Sequence, residues 1–134
     1  MNNKEDLQKK IMEFQILDSN LKMLQERAEI FSQKLEELQR TREALEELKK
    51  TKPEKALIPL GSGNFAYGSI DNCEDIIYGI GGGVALKGKS EKAVENLDKR
   101  IDDIEKNLND MIKQITLFVS QIEKTQRDIE SLQQ

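Results

Sequence analysis

This sequence has no histidine, no tryptophan and a single cysteine, Cys73. Without histidine it lacks the commonest general base and the commonest metal ligand. Catalysis is therefore not expected, and neither is a cofactor or a metal. One cysteine cannot form an intrachain disulfide, which fits a reducing, cytoplasmic setting. No histidine or basic cluster lies near Cys73 in the sequence, and it falls among turn residues, so it reads as a loop thiol. Aromatic residues are only 4% of the chain, too sparse for a conventional globular core. No run of about 18 apolar residues exists to span a membrane. There is no basic surplus either: the net charge is -4, against the excess of Lys and Arg that displaces counterions from nucleic acid. Met1-Asn2-Asn3-Lys4-Glu5-Asp6 turns acidic at once and leads into no apolar run, unlike a secretory signal.

What is abundant is charge, at 34% of residues, arranged around a repeating apolar seam. Residues 3–50 carry a heptad with Leu7, Phe14, Leu21, Ala28 and Leu35 at a, and Leu17, Leu24, Phe31, Leu38 and Leu45 at d. Lys10 and Arg42 interrupt it. Asn3 is placed to cap this helix, Glu5 and Asp6 favour its start, and Lys49, Lys50 and Lys52 favour its end, where Pro53 forbids continuation. Residues 90–134 repeat the pattern with Val94, Ile101, Leu108, Ile115, Ile122 and Ile129 at a, and Leu97, Ile104, Met111, Phe118, Thr125 and Leu132 at d. Ser90 is its expected N-cap. The two helices are near-equal in length, which predicts that they pair antiparallel. If Lys49 lies near Ser90, Leu21 faces Phe118, Leu17 faces Ile122, Phe14 faces Thr125 and Lys10 faces Ile129, so that every a residue meets a d residue.

Residues 53–89 differ in kind. They hold every glycine and both prolines of the chain. Four apolar runs, at Ala56–Leu60, Phe65–Ile70, Ile76–Ile80 and Val84–Leu86, are separated by Gly61-Ser62-Gly63-Asn64, Asp71-Asn72 and Gly81-Gly82-Gly83. They read as two β-hairpins, too small to bury themselves and therefore built to oligomerise through their open edges. The residues expected to carry that assembly are Leu57, Ile58, Leu60, Phe65, Tyr67, Ile76, Tyr78, Ile80, Val84 and Leu86.

Two motifs invite a nucleotide-binding reading. Gly83-Val84-Ala85-Leu86-Lys87-Gly88-Lys89-Ser90 satisfies G-x-x-x-x-G-K-[ST], but a phosphate-binding loop needs an α/β sheet around it and a later acidic strand end, and only a heptad helix follows. Gly61-Ser62-Gly63-Asn64-Phe65-Ala66 matches the loose G-x-G-x-x-A fingerprint but leads into a strand pattern, so it reads as a turn. Apolar residues off the seam are more informative. Ile11, Met12, Ile16, Met23, Ile30, Ile112, Leu117 and Val119 suit loose apolar contact, most of them toward the helix ends remote from the hairpins.

Leu57-Ile58-Pro59-Leu60-Gly61-Ser62-Gly63, Phe65-Ala66-Tyr67-Gly68-Ser69-Ile70, Ile80-Gly81-Gly82-Gly83-Val84-Ala85 and Ala93 together resemble the α-class prefoldin subunit in its archaeal form. The resemblance implies one prefoldin-like domain over residues 1–134, mostly α with a small β segment: an antiparallel two-helix coiled coil joined by two β-hairpins. Four strand-like runs fit the α class, since the β class carries one hairpin. One departure is the absence of an extended tail after the second helix. The family implies a cytoplasmic, ATP-independent holdase, a hexamer of two α-class and four β-class subunits. Its coiled-coil tips capture non-native proteins and pass them to a group II chaperonin. On that expectation Leu7, Ile11, Met12, Phe14, Ile129 and Leu132 form the client-binding tip, where Lys10 and Thr125 weaken the seam. A structural coiled-coil scaffold, or a prefoldin-like subunit that assembles with itself into filaments, is the alternative left open by the residues.

Overall fold

A computed structural model describes residues 3–52 and 55–134. Its elements run α1 (Asn3–Thr51), β1 (Ala56–Gly61), β2 (Asn64–Gly68), β3 (Asp75–Gly81), β4 (Val84–Lys89) and α2 (Ser90–Gln133). Pro53, the expected stop for α1, lies outside the described residues. The helix ends by a local device instead: Lys52 adopts a left-handed φ of 45° while its N–H still donates to the Leu48 carbonyl at 3.0 Å.

The heptad is visible in the burial. Every apolar a and d position named above is half-buried or buried on both helices. Residues between them are mostly exposed. A two-helix seam cannot exclude water completely, so few residues are fully covered: among those described, Leu38 at 3%, Ala93, Leu97, Ser90 and Thr125. Two compact units can be told apart. The terminal unit combines the described part of Met1–Lys34 with Ile104–Gln134; the hairpin unit is Leu35–Asp103.

Within each unit the helices are antiparallel, in the expected register. In the terminal unit Lys10 Nζ reaches Asp128 at 3.4 Å, next to Ile129, its expected opposite. In the hairpin unit Arg42 pairs with Asp98 and Lys49 pairs with Glu91 across the two helices. Each cation therefore bonds to the immediate neighbour of the residue expected to face it. The charges that break the seam are thus paired across it, and the hydrogen bonds that Arg42 and Lys49 donate to Asp98 and Glu91 raise their pKa values.

The two hairpins share one construction. β1 pairs with β2 through Ala56↔Gly68, Leu57↔Tyr67, Ile58↔Ala66 and Pro59↔Phe65, and β3 pairs with β4 through Ile76↔Gly88, Ile77↔Lys87, Tyr78↔Leu86 and Gly79↔Ala85. Each has a register shift just before its turn. Ser62 and Gly63 (φ 52° and 79°), like Gly82 and Gly83 (φ 62° and 77°), hold positive φ at both central positions. That is the type I′ geometry, whose twist matches the strands. The Ser69-Ile70 continuation expected for the second strand does not form, because β2 ends at Gly68. The link to β3 is organised by Asn72, whose Oδ1 accepts from the amides of Glu74 and Asp75 at 2.9 and 3.0 Å.

The P-loop-like residues are placed by this ladder. Val84–Lys89 is β4, Ser90 opens α2 with its amide donating to the Glu74 carbonyl at 2.7 Å, and Lys89 Nζ is 2.8 Å from Asp75 Oδ1. The segment is an extended strand rather than a cradle of inward-facing amides.

Two predictions follow from packing and charge. Leu38→Ala should destabilise the chain by about 2–4 kcal/mol through the cavity it leaves, whereas Met12→Ala on the exposed surface should stay within about 0.5 kcal/mol; thermal denaturation followed by circular dichroism distinguishes them. The second concerns Lys89. Its hydrogen bond, and a weaker one from Asn72, hold the Asp75 carboxyl below its ordinary range, and Asp75 in turn raises Lys89. A lowered carboxyl adds stability that is present above its ordinary titration and is lost as pH falls through the folded value. A raised lysine adds stability present below its ordinary titration and lost as pH rises through the folded value. Lys89→Ala should therefore lower the neutral melting point only slightly, the pair being exposed, and make the acid and alkaline declines shallower by that same small amount. Saturable, Mg²⁺-dependent ATP binding by the unaltered chain, lost in the variant, would contradict this assignment of Lys89.

Candidate interaction surfaces

In the hairpin unit, cross-strand pairing sorts side chains onto two faces. Leu57, Pro59, Phe65 and Tyr67 share one face of the first hairpin, since Leu57 lies opposite Tyr67 and Pro59 opposite Phe65. This face is open: Leu57 and Phe65 are well exposed and Tyr67 is 89% exposed. Ile58 occupies the other face, and a Cβ on Gly68 would run into its Cδ1. The second hairpin repeats the contact, for a Cβ on Gly88 would lie 3.2 Å from Tyr78 Cε1. Two side chains at matching positions thus fold over two matching glycines.

Of the residues expected to mediate assembly, Leu57, Ile58, Leu60, Phe65, Tyr67, Ile80, Val84 and Leu86 are exposed in the isolated chain, while Ile76 and Tyr78 are half-buried. Ile77 was missed. It is 75% exposed, opposite Lys87, on the face that the alternation of Ile76, Tyr78 and Ile80 left unexamined. Its signal was the unbroken Ile76-Ile77-Tyr78 run, which marks a strand apolar on both faces. The outer edges of all four strands have no partner strand among the described residues.

In the terminal unit, Ile11 and Met12 are exposed, whereas Leu7, Phe14, Ile129 and Leu132 are half-buried in the seam. The polar positions expected to weaken that seam are satisfied. Lys10 bonds Glu13 at 3.2 Å as well as Asp128, and these two hydrogen bonds, Glu13 first, raise its pKa. Thr125 is buried, and its hydroxyl donates to the Gln121 carbonyl at 2.9 Å. Ile16, Met23, Ile30, Ile112 and Leu117 are all more than half exposed, and Val119 is less so. No cluster of three potential metal ligands occurs among the described residues, and no described helix is long and apolar enough to cross a membrane.

Comparison with known proteins gives one consistent result. Residues 17–134 match the family model of the prefoldin subunit. A prefoldin subunit alpha from Pyrococcus horikoshii is 36% identical over 100 residues, covering 73% of this chain and 67% of the relative. One from Thermococcus onnurineus is 32% identical over 96 residues, covering 70% of this chain and 65% of the relative. The aligned region is thus about two thirds of the length of these relatives. A cryo-EM structure of filamentous PFD from Methanocaldococcus jannaschii has the same fold, with a TM-score of 0.69 at 14% identity, covering 82% of this chain and 92% of that one. With its two helices, two hairpins and archaeal alpha-subunit relatives, the chain belongs to the prefoldin family.

Proposed function

We propose that this chain is the α-class subunit of an ATP-independent holdase that captures non-native proteins and passes them to a group II chaperonin in the cytoplasm. The observation that carries the reading is the first hairpin of a prefoldin-family chain. It exposes Leu57, Phe65 and Tyr67 beside strand edges with no partner strand among the described residues, a surface suited to cover by another chain. β-class subunits are the proposed partners, four to every two of this chain. Capture is assigned to the terminal unit, at Leu7, Ile11, Met12, Phe14, Ile129 and Leu132. Burying apolar area is worth about 25 cal/mol per Å², so weak contacts repeated on several coiled coils hold a client by avidity. A second reading, self-assembly through the same edges, is favoured by the likeness in fold to a filamentous PFD.

Sizing the chain alone and mixed with a β-class subunit separates the two readings: a discrete hexamer formed only in the mixture supports the first, and long assemblies of the chain alone support the second. Replacing residues 53–89 with a short flexible turn should leave a helical hairpin that joins no complex; unchanged particle mass by light scattering would contradict the assembly assignment. Deleting residues 1–12 together with 126–134 should weaken suppression of client aggregation without ATP, yet leave the particle mass, corrected for the deleted residues, intact. Equal suppression at equal stoichiometry would remove these tip residues from the client site.

A further inference from the structure

The two hairpins are copies of one structural unit, offset by 20 residues. The register shift between Pro59 and Gly61 recurs between Gly79 and Gly81. The positive φ values at positions 61, 62 and 63 recur at 81, 82 and 83. The contact of Ile58 with Gly68 recurs as that of Tyr78 with Gly88. Equivalent side chains can therefore be compared one by one. On the open face, Leu57 and its cross-strand neighbour Tyr67 correspond to Ile77 and Lys87, while Pro59 and Phe65 correspond to Gly79 and Ala85. One position stays large, aliphatic and exposed: Leu57 at 60% and Ile77 at 75%. The others turn from bulky to small, or from a ring to a cation.

Charge distinguishes the two faces further. The paired strands β1 and β2 contain no charged residue. On the second face Asp75 and Lys89 neutralise each other at 2.8 Å. Lys87 is exposed, has no ion-pair partner among the described residues, and meets the Asp75 carboxylate only at longer range. It is the uncompensated charge of this face. The exposed Ile77 opposite it favours cover by another surface, and the open space over Gly79 leaves room for incoming side chains. What can cover the face is limited by the lysine. Two copies of it meeting about a two-fold axis would bury two ammonium groups in one small contact, with no free carboxylate to offset them. The first hairpin of another copy offers the rings of Phe65 and Tyr67, which replace only part of the hydration an ammonium loses. A sheet face with an apolar centre and one carboxylate satisfies Ile77 and Lys87 together, through a charge-assisted hydrogen bond.

We propose that Lys87 selects the partner of the second hairpin. That hairpin receives the sheet face of a different subunit, which sets a carboxylate against Lys87, and the same lysine keeps a second copy of this chain off the face. The proposal rests on the assembly with β-class subunits proposed above and deepens it by naming the residue that discriminates. Three variants test it. Lys87→Tyr installs the residue of the equivalent position in the first hairpin, Lys87→Glu reverses the charge, and Lys87→Arg keeps it. Lys87 is exposed, so all three should retain the circular dichroism of the unaltered chain. Lys87→Tyr should raise the particle mass of the chain alone by about twofold or more, measured by light scattering. Lys87→Glu should weaken binding to a separately purified β-class subunit by about tenfold or more, and Lys87→Arg should retain it. Raising salt from about 0.05 M to about 0.5 M should weaken binding by the unaltered chain more than by Lys87→Tyr. An unchanged mass in Lys87→Tyr, or an unchanged affinity in Lys87→Glu, overturns the proposal and leaves the assembly reading standing, because the unaltered chain still binds. Long assemblies of the unaltered chain alone, or its failure to bind the β-class subunit, overturn the assembly reading and this one with it.

Discussion

The start of the second helix depends on one short connection. The second hairpin fixes Asp75 opposite Lys89, and the Ser90 amide donates to the Glu74 carbonyl, so α2 starts where the β3–β4 ladder ends. Ser90 and Ala93 are almost wholly covered at that start, and Leu97 follows one turn later. A seam of repeating apolar residues would tolerate a slip of one heptad with every a still facing a d. The connection fixes where α2 begins, and the Lys49–Glu91 and Arg42–Asp98 pairs report the register that α1 adopts against it. Both pairs are exposed, so their contribution to stability is small. They mark the register rather than enforce it.

Why so much of this fold was legible in the sequence is clear from the kind of information it uses. A coiled coil is specified by spacing, and spacing is local. Burial along both helices follows the heptad without exception at the apolar a and d positions. The places of the two hairpin turns were legible for a similar reason, because Gly63, Gly82 and Gly83 mark turns and take the positive φ that their type I′ geometry requires. What failed to show was contact between residues distant in sequence. Lys10 reads as a weak point of the seam because its bond to Asp128 on the other helix is not written in the period, and Thr125 because the period does not show its hydroxyl bonding back to the Gln121 carbonyl one turn earlier. The folding of Ile58 over Gly68 and of Tyr78 over Gly88, and the exposure of Ile77, depend on which face of a strand meets a neighbour. A period of two identifies the faces but does not say which one is covered.

The hairpins and the terminal unit expose apolar surface of different chemistry, and the difference bears on how each is used. The first hairpin presents Phe65, Tyr67 and Leu57 on a rigid strand pair with open edges. Aromatic rings on a fixed backbone lose little conformational entropy on contact and pack with geometric selectivity, and backbone edges accept only a strand in register. Such a surface suits one partner held permanently. The flank of the terminal unit presents Met12, Met23, Ile16 and Leu117 between side-chain amides, with no backbone edge, because a helix satisfies its own peptide groups. Nothing there imposes a register on an incoming chain. Contacts on such a surface are individually weak and exchangeable, whereas a strand edge binds through a ladder of backbone hydrogen bonds that holds its partner in one place.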